Sequence, residues 1–226
     1  MEGMLLVDKP PGVTSHDVVD AVRRALGLRR VGHTGTLDPM ARGLLILLVG
    51  NATSHQQGFQ RHEKTYDAMI RLGTQTDTGD ATGVAIRTAE VPPLDRQRVV
   101  DLLASLRGPC SQTPPAYSAV KVRGRPAYWW ARRKTPVTLQ ARTVELFELT
   151  LRDCGQETIA LRVRCSAGTY MRALAECIAE RLGTVGHLSG LVRLRIGDWR
   201  LEDAKSLTWL AQASPEAVAR ALQPVP

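Results

Sequence analysis

The sequence predicts an α+β domain built on a mixed sheet. Three observations predict this class. Leu44–Val49 is a continuous apolar run between two glycines, which is typical of a buried strand. Residues 144–151 and 158–165 alternate apolar and polar side chains, as half-buried strands do. Segments of helical period lie among these strands without a regular β-α-β repeat, which favours α+β over a doubly wound fold.

The N-terminal elements follow from local patterns. Residues 4–7 predict a short strand, and Thr14 with Asp17 fits a capping box for a helix that ends at Gly27. Val18, Val19 and Val22 share one face of that helix. Next we expect a polar loop at 32–39, strands at 44–49 and 66–72, and a loop rich in Thr, Asp and Gly at 74–83.

The C-terminal half continues the mixture. Residues 95–107 and 169–182 predict helices, the second ended by Gly183. Residues 109–142 contain five prolines and no clean period, so we expect a long loop, and such loops are uncommon unless they are functional or mobile. A further strand begins at Leu191–Ile196, and residues 213–226 read as a short tail.

Positive charge is concentrated in one segment, which we call the basic arm (residues 109–142). Thirty Lys and Arg oppose 22 Asp and Glu, a formal net charge of +8. No acidic residue lies between Leu102 and Val144, and the cations there equal the whole excess: Arg107, Lys121, Arg123, Arg125, Arg132, Arg133, Lys134 and Arg142. This distribution favours a polyanionic partner. The alternative is a solubilising surface.

Composition argues against several other classes. The four cysteines form no C-x-x-C pair, so we expect reduced thiols in a cytoplasmic protein. The apolar run at 4–7 is too short for a signal peptide, and no segment reaches the length of a membrane span. Asp77 and Asp80 do not have the spacing of a calcium loop, so no metal site is expected.

The segment Gly32–Pro39, GHTGTLDP, is the first that could carry chemistry. Asp38 precedes a proline, which disfavours helical backbone, and two glycines permit close approach of a ligand. The alternative is an Asp-Pro turn whose carboxylate caps the backbone.

Gly32–Leu45, together with Lys9–Ser15, resembles the signature of the bacterial tRNA pseudouridine synthase B family. The resemblance implies a largely antiparallel central sheet of the pseudouridine synthase type. It also implies that Asp38 is the catalytic carboxylate and that His33 lies against the T-loop of tRNA. Lys64-Thr65-Tyr66 is similar to the family's K-x-Y motif, in which the tyrosine stacks on the target base. Tyr66 is then a catalytic candidate and Lys64 a substrate-binding one.

Gly168–Arg172 resembles the family's G-T-Y-I-R motif, whose arginine pairs with the catalytic aspartate. By this resemblance Arg172 holds Asp38 ionised and lowers its pKa, and Tyr170 lines the base pocket. A surface pair between Arg172 and Glu176, four residues apart on one helix, is the alternative. However, Arg172 falls in the first turn, where the helix dipole disfavours a cation.

Two further segments complete the resemblance. Leu188–Leu194 is similar to the family's L-R-R-L segment, so Leu191 is expected near the base and Arg193 at the substrate, while Val192 stands where the first arginine is expected. Pro114–Lys121 resembles the P-P-x-Y-S-A-x-K thumb loop, which makes Lys121 and Arg123 RNA-binding candidates. The basic arm is then a thumb-loop insertion, in which cations and aromatic rings alternate as suits RNA.

The resemblance implies an isomerase that converts uridine 55 of the tRNA T-loop to pseudouridine, by base flipping and an Asp nucleophile. No cofactor, metal, membrane or obligate protein partner is expected, and we expect a monomer. Residues 1–212 are predicted to form the catalytic domain. Residues 213–226 leave no room for the complete PUA domain that family members commonly carry, so this member either lacks it or is truncated. One alternative is a tRNA-folding protein with weak or no catalysis, and another, a nucleoside hydrolase, leaves the basic arm without a purpose.

Overall fold

The structure, a computed structural model, describes residues 1–225 and divides into two compact units. The first contains residues 1–66 and 191–225, and the second contains residues 67–190. The strands are β1 Gly3–Lys9, β2 Val31–His33, β3 Arg42–Val49, β4 Lys64–Leu72, β5 Thr74–Thr76, β6 Ala85–Thr88, β7 Gly108–Gln112, β8 Lys121–Val122, β9 Arg125–Pro126, β10 Arg142–Cys154, β11 Thr158–Cys165, β12 Gly186–Ile196, β13 Trp199–Arg200 and β14 Lys205–Ser206. The α-helices are α1 Ser15–Leu26, α2 Gln56–Gln60, α3 Arg96–Ser105, α4 Ala127–Ala131, α5 Met171–Arg181, α6 Leu207–Gln212 and α7 Pro215–Arg220.

The sheet of the first unit has the strand order β14-β1-β3-β12, with β2 beside β3 and β13 beside β12. β1 and β3 are antiparallel, whereas β14 runs parallel to β1 and β12 runs parallel to β3. The run at 44–49 is buried on both faces, which explains why it is continuously apolar. One face packs on α1, α6 and α7 through Leu45, Leu47, Val49, Val18, Val22, Leu210 and Val218; the other packs through Leu44, Ile46, Leu48, Phe59 and Ile196.

Helix α1 begins and ends where the sequence predicts. The Thr14 side chain accepts a hydrogen bond from the Asp17 amide, and the Asp17 carboxylate accepts one from the Thr14 amide. Gly27 ends the helix with φ 62°, a left-handed conformation that suits glycine. Both ends are confirmed because each depends on residues a few positions apart.

The sheet of the second unit has the strand order β12-β4-β11-β10-β7. β11 matches its predicted bounds and alternates buried and half-buried residues, as expected. Helix α3 packs on β10 and contacts α5, and their apolar side chains complete this core. Because antiparallel pairs dominate and parallel pairs occur as well, the predicted α+β class with a mixed, largely antiparallel sheet is confirmed.

Two predicted loops contain regular structure. Residues 74–76 pair with 85–88 as a hairpin. The sequence does not reveal it, because β5 is entirely polar and the four residues of β6 are all exposed. The basic arm is not structureless either. Its residues 109–112 belong to β7, an edge strand that pairs with β10 and tolerates Pro109, and the arm also contains a β8–β9 hairpin and α4.

The predicted tail packs on the first unit. Val218 of α7 is fully buried, and the backbones of Met4 and Gln223 exchange hydrogen bonds. The boundary of the catalytic domain at residue 212 stays a prediction. All four cysteines are free thiols, of which Cys165 is buried and the others are half-buried. Within residues 1–225, no helix is both long and apolar enough to cross a bilayer.

Candidate active site

Asp38 lies in the loop that joins β2 to β3, which we call the Asp38 loop (residues 34–41). The Ala41 amide donates to the Asp38 carbonyl at 3.0 Å, which closes a turn with Pro39 in its second position. The predicted Asp-Pro turn is therefore present. The side chain of Asp38 is half-buried and engaged in interactions of its own.

The N-terminus of α1 holds the Asp38 loop from one side. The buried hydroxyl of Ser15 accepts a hydrogen bond from the Leu37 amide at 2.9 Å and donates one to the Leu37 carbonyl at 3.2 Å. The Gly12 amide donates to the Pro39 carbonyl at 2.8 Å. Because these ties flank Asp38 on both sides in sequence, its backbone is fixed by residues 22 to 27 positions earlier in the chain.

Arg193 of β12 holds the same loop from within the core. Its side chain is 2% exposed. Its guanidinium donates to three backbone carbonyls: Gly35 at 3.1 Å, Thr36 at 3.3 Å and Leu44 at 2.8 Å. These bonds favour a positioning role for Arg193, and the predicted contact with RNA stays a prediction that they do not support.

Arg193 also links the loop to Tyr66. Burial lowers the pKa of Arg193 below its ordinary value, while a hydrogen bond with the Tyr66 side chain and the charge of Asp38 oppose that shift. Tyr66 is 8% exposed and is the last residue of segment 1–66 of the first unit. The structure thus brings together Asp38, Tyr66 and Arg193, which are far apart in sequence.

A second buried cation, Lys9, lies at the end of β1. Its ammonium donates to the carbonyls of Val13 at 2.7 Å, Pro10 at 3.0 Å and Pro39 at 3.3 Å. The residue is 0% exposed. Burial lowers the pKa of Lys9 from 10.5 to about 8, and the charge of Asp38 is the largest opposing influence. Two cations therefore act on the Asp38 carboxylate from the protein interior and favour its charged form.

His33 and Leu191 are the other two predicted substrate-binding residues of the first unit that lie next to these elements in sequence. His33 ends β2 and is half-buried, with its carbonyl accepting from Gln56 Nε2 at 3.0 Å. Burial lowers the pKa of His33, and the nearby charge of Arg193 lowers it further, so its ring is neutral at pH 7. Leu191, 7% exposed, lies two residues before Arg193 on β12.

Lys64 has a different environment from the one predicted. It is 8% exposed, and its ammonium donates to the carbonyls of Gln60 and His62, both at 2.6 Å. These carbonyls lie at the end of α2 and just beyond it, where a cation is electrostatically favourable. An RNA contact by Lys64 stays a prediction, and its bonds favour a structural role instead.

Arg172 is the second residue of α5 in the second unit. It is 5% exposed, so Arg172 is not a surface residue, and the alternative of a surface pair with Glu176 is wrong. Its guanidinium donates to the carbonyls of Tyr117 at 2.8 Å and Thr78 at 3.0 Å. Its Nε lies 3.9 Å from Asp80 Oδ2. A cation in the first helical turn is thus compensated by carbonyl oxygens and a carboxylate.

Asp80 is itself fixed by hydroxyl and amide donors. Its Oδ1 accepts from the hydroxyl of Thr82 at 2.6 Å, from the hydroxyl of Thr78 at 2.9 Å and from the Thr82 amide at 2.9 Å. Asp80 is 4% exposed. Its carboxylate therefore serves the local loop and Arg172. Among residues 1–225, no group of three or more His, Cys, Asp or Glu side chains has the arrangement of a metal site.

Tyr170 immediately precedes α5 and is half-buried. Its amide donates to Gln112 Oε1 at 3.0 Å. In the basic arm, Lys121 and Arg123 are exposed around a two-residue hairpin turn in which Arg123 and Gly124 have φ 50° and 76°. Positive φ at both positions identifies a type I′ turn.

Aromatic rings stiffen the rest of the basic arm. The guanidinium carbon of Arg133 lies 3.6 Å from the centroid of the Trp129 ring, and that of Arg132 lies 5.4 Å from Tyr128. Trp130 packs edge-on against Trp129 and donates from Nε1 to the Val122 carbonyl at 3.0 Å. The arm therefore presents cations on a partly ordered scaffold.

Two residues that bond to this part of the molecule, Lys9 and Gln112, are not predicted as site residues from the sequence. Lys9 lay inside the motif that carried the family resemblance, and a lysine beside two prolines and a glycine was the available signal. Gln112 gave no signal of its own. Val192, where an arginine was expected, pairs in register with the exposed Arg42 of β3, so a guanidinium is present on the neighbouring strand.

Comparison with known proteins gives one family. A family model described as "TruB family pseudouridylate synthase (N terminal domain)" matches residues 23–171. A protein of Aromatoleum aromaticum called tRNA pseudouridine synthase B is 44% identical over 225 residues, which are 100% of this chain and 73% of that relative. A protein of the same name from Opitutus terrae is 40% identical over 100% of this chain and 93% of that relative. Another, from Chromohalobacter salexigens, is 45% identical over 89% of this chain and 66% of that relative.

Solved structures give the same fold. The chain in an archaeal box H/ACA sRNP Nop10-Cbf5 complex superimposes with a TM-score of 0.73 at 25% identity. The corresponding chain in a Cbf5-Nop10-Gar1 complex gives 0.72 at 28% identity. Each match covers 98% of this chain but only 59% and 60% of the other, so both known chains are considerably longer.

Proposed function

Because the chain belongs to the TruB family of pseudouridylate synthases, we propose that it converts the T-loop uridine at position 55 of tRNA to pseudouridine. The observation that carries this proposal is the Asp38 loop. Its backbone is tied to α1 and β12, and its half-buried carboxylate is influenced by two interior cations. Such a preorganised single carboxylate suits nucleophilic catalysis.

The reaction needs one nucleophile and no external reactant. The bond between C1′ of the ribose and N1 of the uracil breaks, the freed uracil rotates, and a bond forms between C1′ and C5. The proton on C5 leaves, and N1 gains one, so the atoms balance. Asp38 attacks either C1′ or C6, and the bond that it forms breaks again to return the carboxylate before the product leaves. Both routes require Asp38 ionised. The charges of Lys9 and Arg193 favour that form. No cofactor or metal is required.

Tyr66 holds the flipped uracil in this proposal. Its bond with Arg193 restrains the hydroxyl, and the buried ring then offers a fixed flat face for stacking. The same hydroxyl, or a water molecule, is a candidate to relay the C5 proton. Arg193 acts here on the Asp38 loop and on Tyr66, and not on RNA directly.

Arg172, Tyr170, Leu191 and His33 are proposed to surround the reacting nucleotide. Arg172 pairs with Asp38 in the reactive state, and its bonds to two carbonyls support this by holding the guanidinium in one orientation. Tyr170 and Leu191 line the base pocket. His33, neutral at pH 7, lies against the T-loop and helps to fill the space of the flipped base.

The basic arm is proposed to grip the tRNA T-arm. Exposed Lys121 and Arg123 at the hairpin turn contact phosphates, and the cation-aromatic pairs around α4 add further positive charge. We further propose that the protein works as a monomer in the cytoplasm. The alternative of a tRNA-folding protein without catalysis is not favoured, since the relatives compared above are named as synthases.

One experiment tests the proposal directly. The purified protein is incubated with an unmodified tRNA transcript, and pseudouridine is mapped along the RNA. We expect modification at position 55 and none in a control transcript that carries cytidine there. A total RNA pool from cells lacking the enzyme, mapped in the same way, extends the test to other substrates. If position 55 stays unmodified while the protein binds the transcript, the proposal is wrong.

A further inference from the structure

Gln112 lies where the basic arm leaves the sheet. It is the last residue of β7, and its pairing with Arg142 of β10 forms the final rung between the two strands. Its side chain is 6% exposed, although the residues on either side of it are exposed. A buried side-chain amide costs free energy unless its polar atoms are hydrogen-bonded, so its bonds indicate what the residue does there.

The amide oxygen of Gln112 caps the start of α5. Tyr170 is the N-cap residue of that helix, yet its side chain makes no capping bond. A tyrosine is poorly suited to capping, since good N-caps are short polar residues. Its amide instead donates to Gln112 Oε1 at 3.0 Å across 58 positions of sequence. The position of Tyr170 is therefore set from the arm root.

Arg172 makes a second tie between the same two segments. Its Nη2 donates to the carbonyl of Tyr117, five residues after Gln112, at 2.8 Å. Tyr170 and Arg172 are two residues apart, so the first turn of α5 is bonded twice to residues 112–117. A shift of the arm root would consequently move Tyr170 and Arg172 together.

We infer that Gln112 is a positioning residue for catalysis: it couples the root of the basic arm to Tyr170 and Arg172. The inference rests on the proposed function, because that function places both residues at the reacting nucleotide. The Nε2 group of Gln112 is buried without a partner among the described residues. The coupling to Tyr170 therefore depends on the oxygen of the Gln112 side chain and not on its nitrogen. Substitutions that keep or remove that oxygen should differ in their effects.

Three variants of the full chain distinguish the coupling. Gln112→Met preserves side-chain length but removes the acceptor. Gln112→Asn preserves the amide but is one methylene too short to reach Tyr170. Gln112→Glu preserves an acceptor oxygen at the same distance and replaces the unpartnered nitrogen with an oxygen. The negative charge of its ionised form lies at the N-terminus of α5, where the helix dipole favours it. A matched control is Thr184→Val, which removes a buried, unpartnered hydroxyl three residues beyond the other end of α5.

For each variant, single-turnover pseudouridine formation at saturating tRNA, the Kd for tRNA and urea unfolding are measured. We expect Gln112→Met and Gln112→Asn to slow the single-turnover step about tenfold or more, as small misplacements of catalytic groups do. Their Kd should stay within about twofold, since phosphate contacts dominate RNA affinity. Gln112→Glu should restore the rate, and Thr184→Val should match the parent protein.

Three results would overturn the inference. Either the Met and Asn variants keep the parent rate, or Gln112→Glu is as slow as they are. A slow rate fully explained by weaker tRNA binding would also contradict it. If Gln112→Met does not fold, the comparison of the Asn and Glu variants decides alone. A parent protein that forms no pseudouridine refutes the proposed function instead, so the two failures are distinguishable.

Discussion

The Asp38 loop and the basic arm are both segments that the sequence predicts as loops, but they are held in different ways. The Asp38 loop is tied by buried donors from distant parts of the sequence, with Arg193 lying 157 and 158 positions from its acceptors Thr36 and Gly35. The basic arm is held chiefly by bonds between its own near neighbours, such as Trp130 to Val122, and its cations are mostly exposed.

The difference is what the proposed roles of the two segments require. A nucleophile must meet its target atom within a fraction of an ångström, so its backbone is preorganised at the cost of burying Arg193 and Lys9. A surface that follows an RNA backbone gains affinity from charge and needs less exact placement. In the proposed function, the buried cations Arg193 and Lys9 thus hold the reacting loop, and the exposed cations of the basic arm meet the RNA.

Removal of Arg193, which holds the Asp38 loop, should have the largest effect on the free energy of unfolding. Arg193→Met leaves the buried carbonyl of Leu44 and those of Gly35 and Thr36 without their guanidinium donor, and it removes a hydrogen-bond partner of Tyr66. We expect the free energy of unfolding to fall by roughly 3–5 kcal/mol, as for other buried charges that lose one partner. Urea unfolding measures this loss. Arg195→Met on the same strand is the control, because Arg195 bonds to the nearby Gly197 carbonyl and the exposed Asp198; its change should stay below about 1 kcal/mol.

Removal of Lys9, the second buried cation at the Asp38 loop, should change how the free energy of unfolding depends on pH. The folded-state pKa of Lys9, about 8, lies below the ordinary 10.5, so between these values the unfolded chain binds more protons than the folded chain. Stability attributable to Lys9 therefore rises with pH across this window. We expect the unfolding free energy of the parent protein minus that of Lys9→Met to increase by up to about 3 kcal/mol from pH 7 to pH 10.5. A difference that is flat or falls with pH would show that Lys9 is not a buried charge.

Neutralising the arm should have the smallest effect on folding and a clear effect on binding. The variant combines three substitutions: Arg132→Gln, Arg133→Gln and Lys134→Gln. Its free energy of unfolding should change little, because these side chains are largely exposed. The slope of log affinity for tRNA against log salt should fall by roughly 0.7–0.9 for each phosphate that the arm no longer neutralises. Binding measured from about 50 to 300 mM salt tests this. The exposed Arg152→Gln serves as a control outside the arm for the loss of a single charge. An unchanged slope in the triple variant would show that Arg132, Arg133 and Lys134 do not neutralise phosphates of the tRNA.

Local features of the fold could be predicted from sequence. Thr14, Asp17 and Gly27 define α1 from short-range signals at its two ends, and the apolar run at 44–49 needs no partner to be recognised as a buried strand. Asp38 was recognisable because its motif is long and contiguous. The placement of Tyr66 beside Arg193 was not, since it depends on how β4 and β12 are brought to the same loop.

Long-range and polar features could not be predicted. An arginine met in sequence is usually exposed, so Arg193 was expected at the RNA, whereas its burial depends on acceptors that only the folded chain assembles. The hairpin at 74–88 has no apolar alternation to reveal it. Gln112 meets Tyr170 across 58 residues, and neither residue type indicates the other.

In the proposed function Asp38 is the reacting carboxylate, and buried donors from distant parts of the chain fix its loop. The most direct measurement is pseudouridine formation by Asp38→Asn on an unmodified tRNA transcript, with tRNA binding and urea unfolding measured in parallel. The amide is close in size to the carboxylate but cannot act as the same nucleophile. We expect no pseudouridine at position 55, with tRNA binding retained. Product formed at the parent rate would contradict the account.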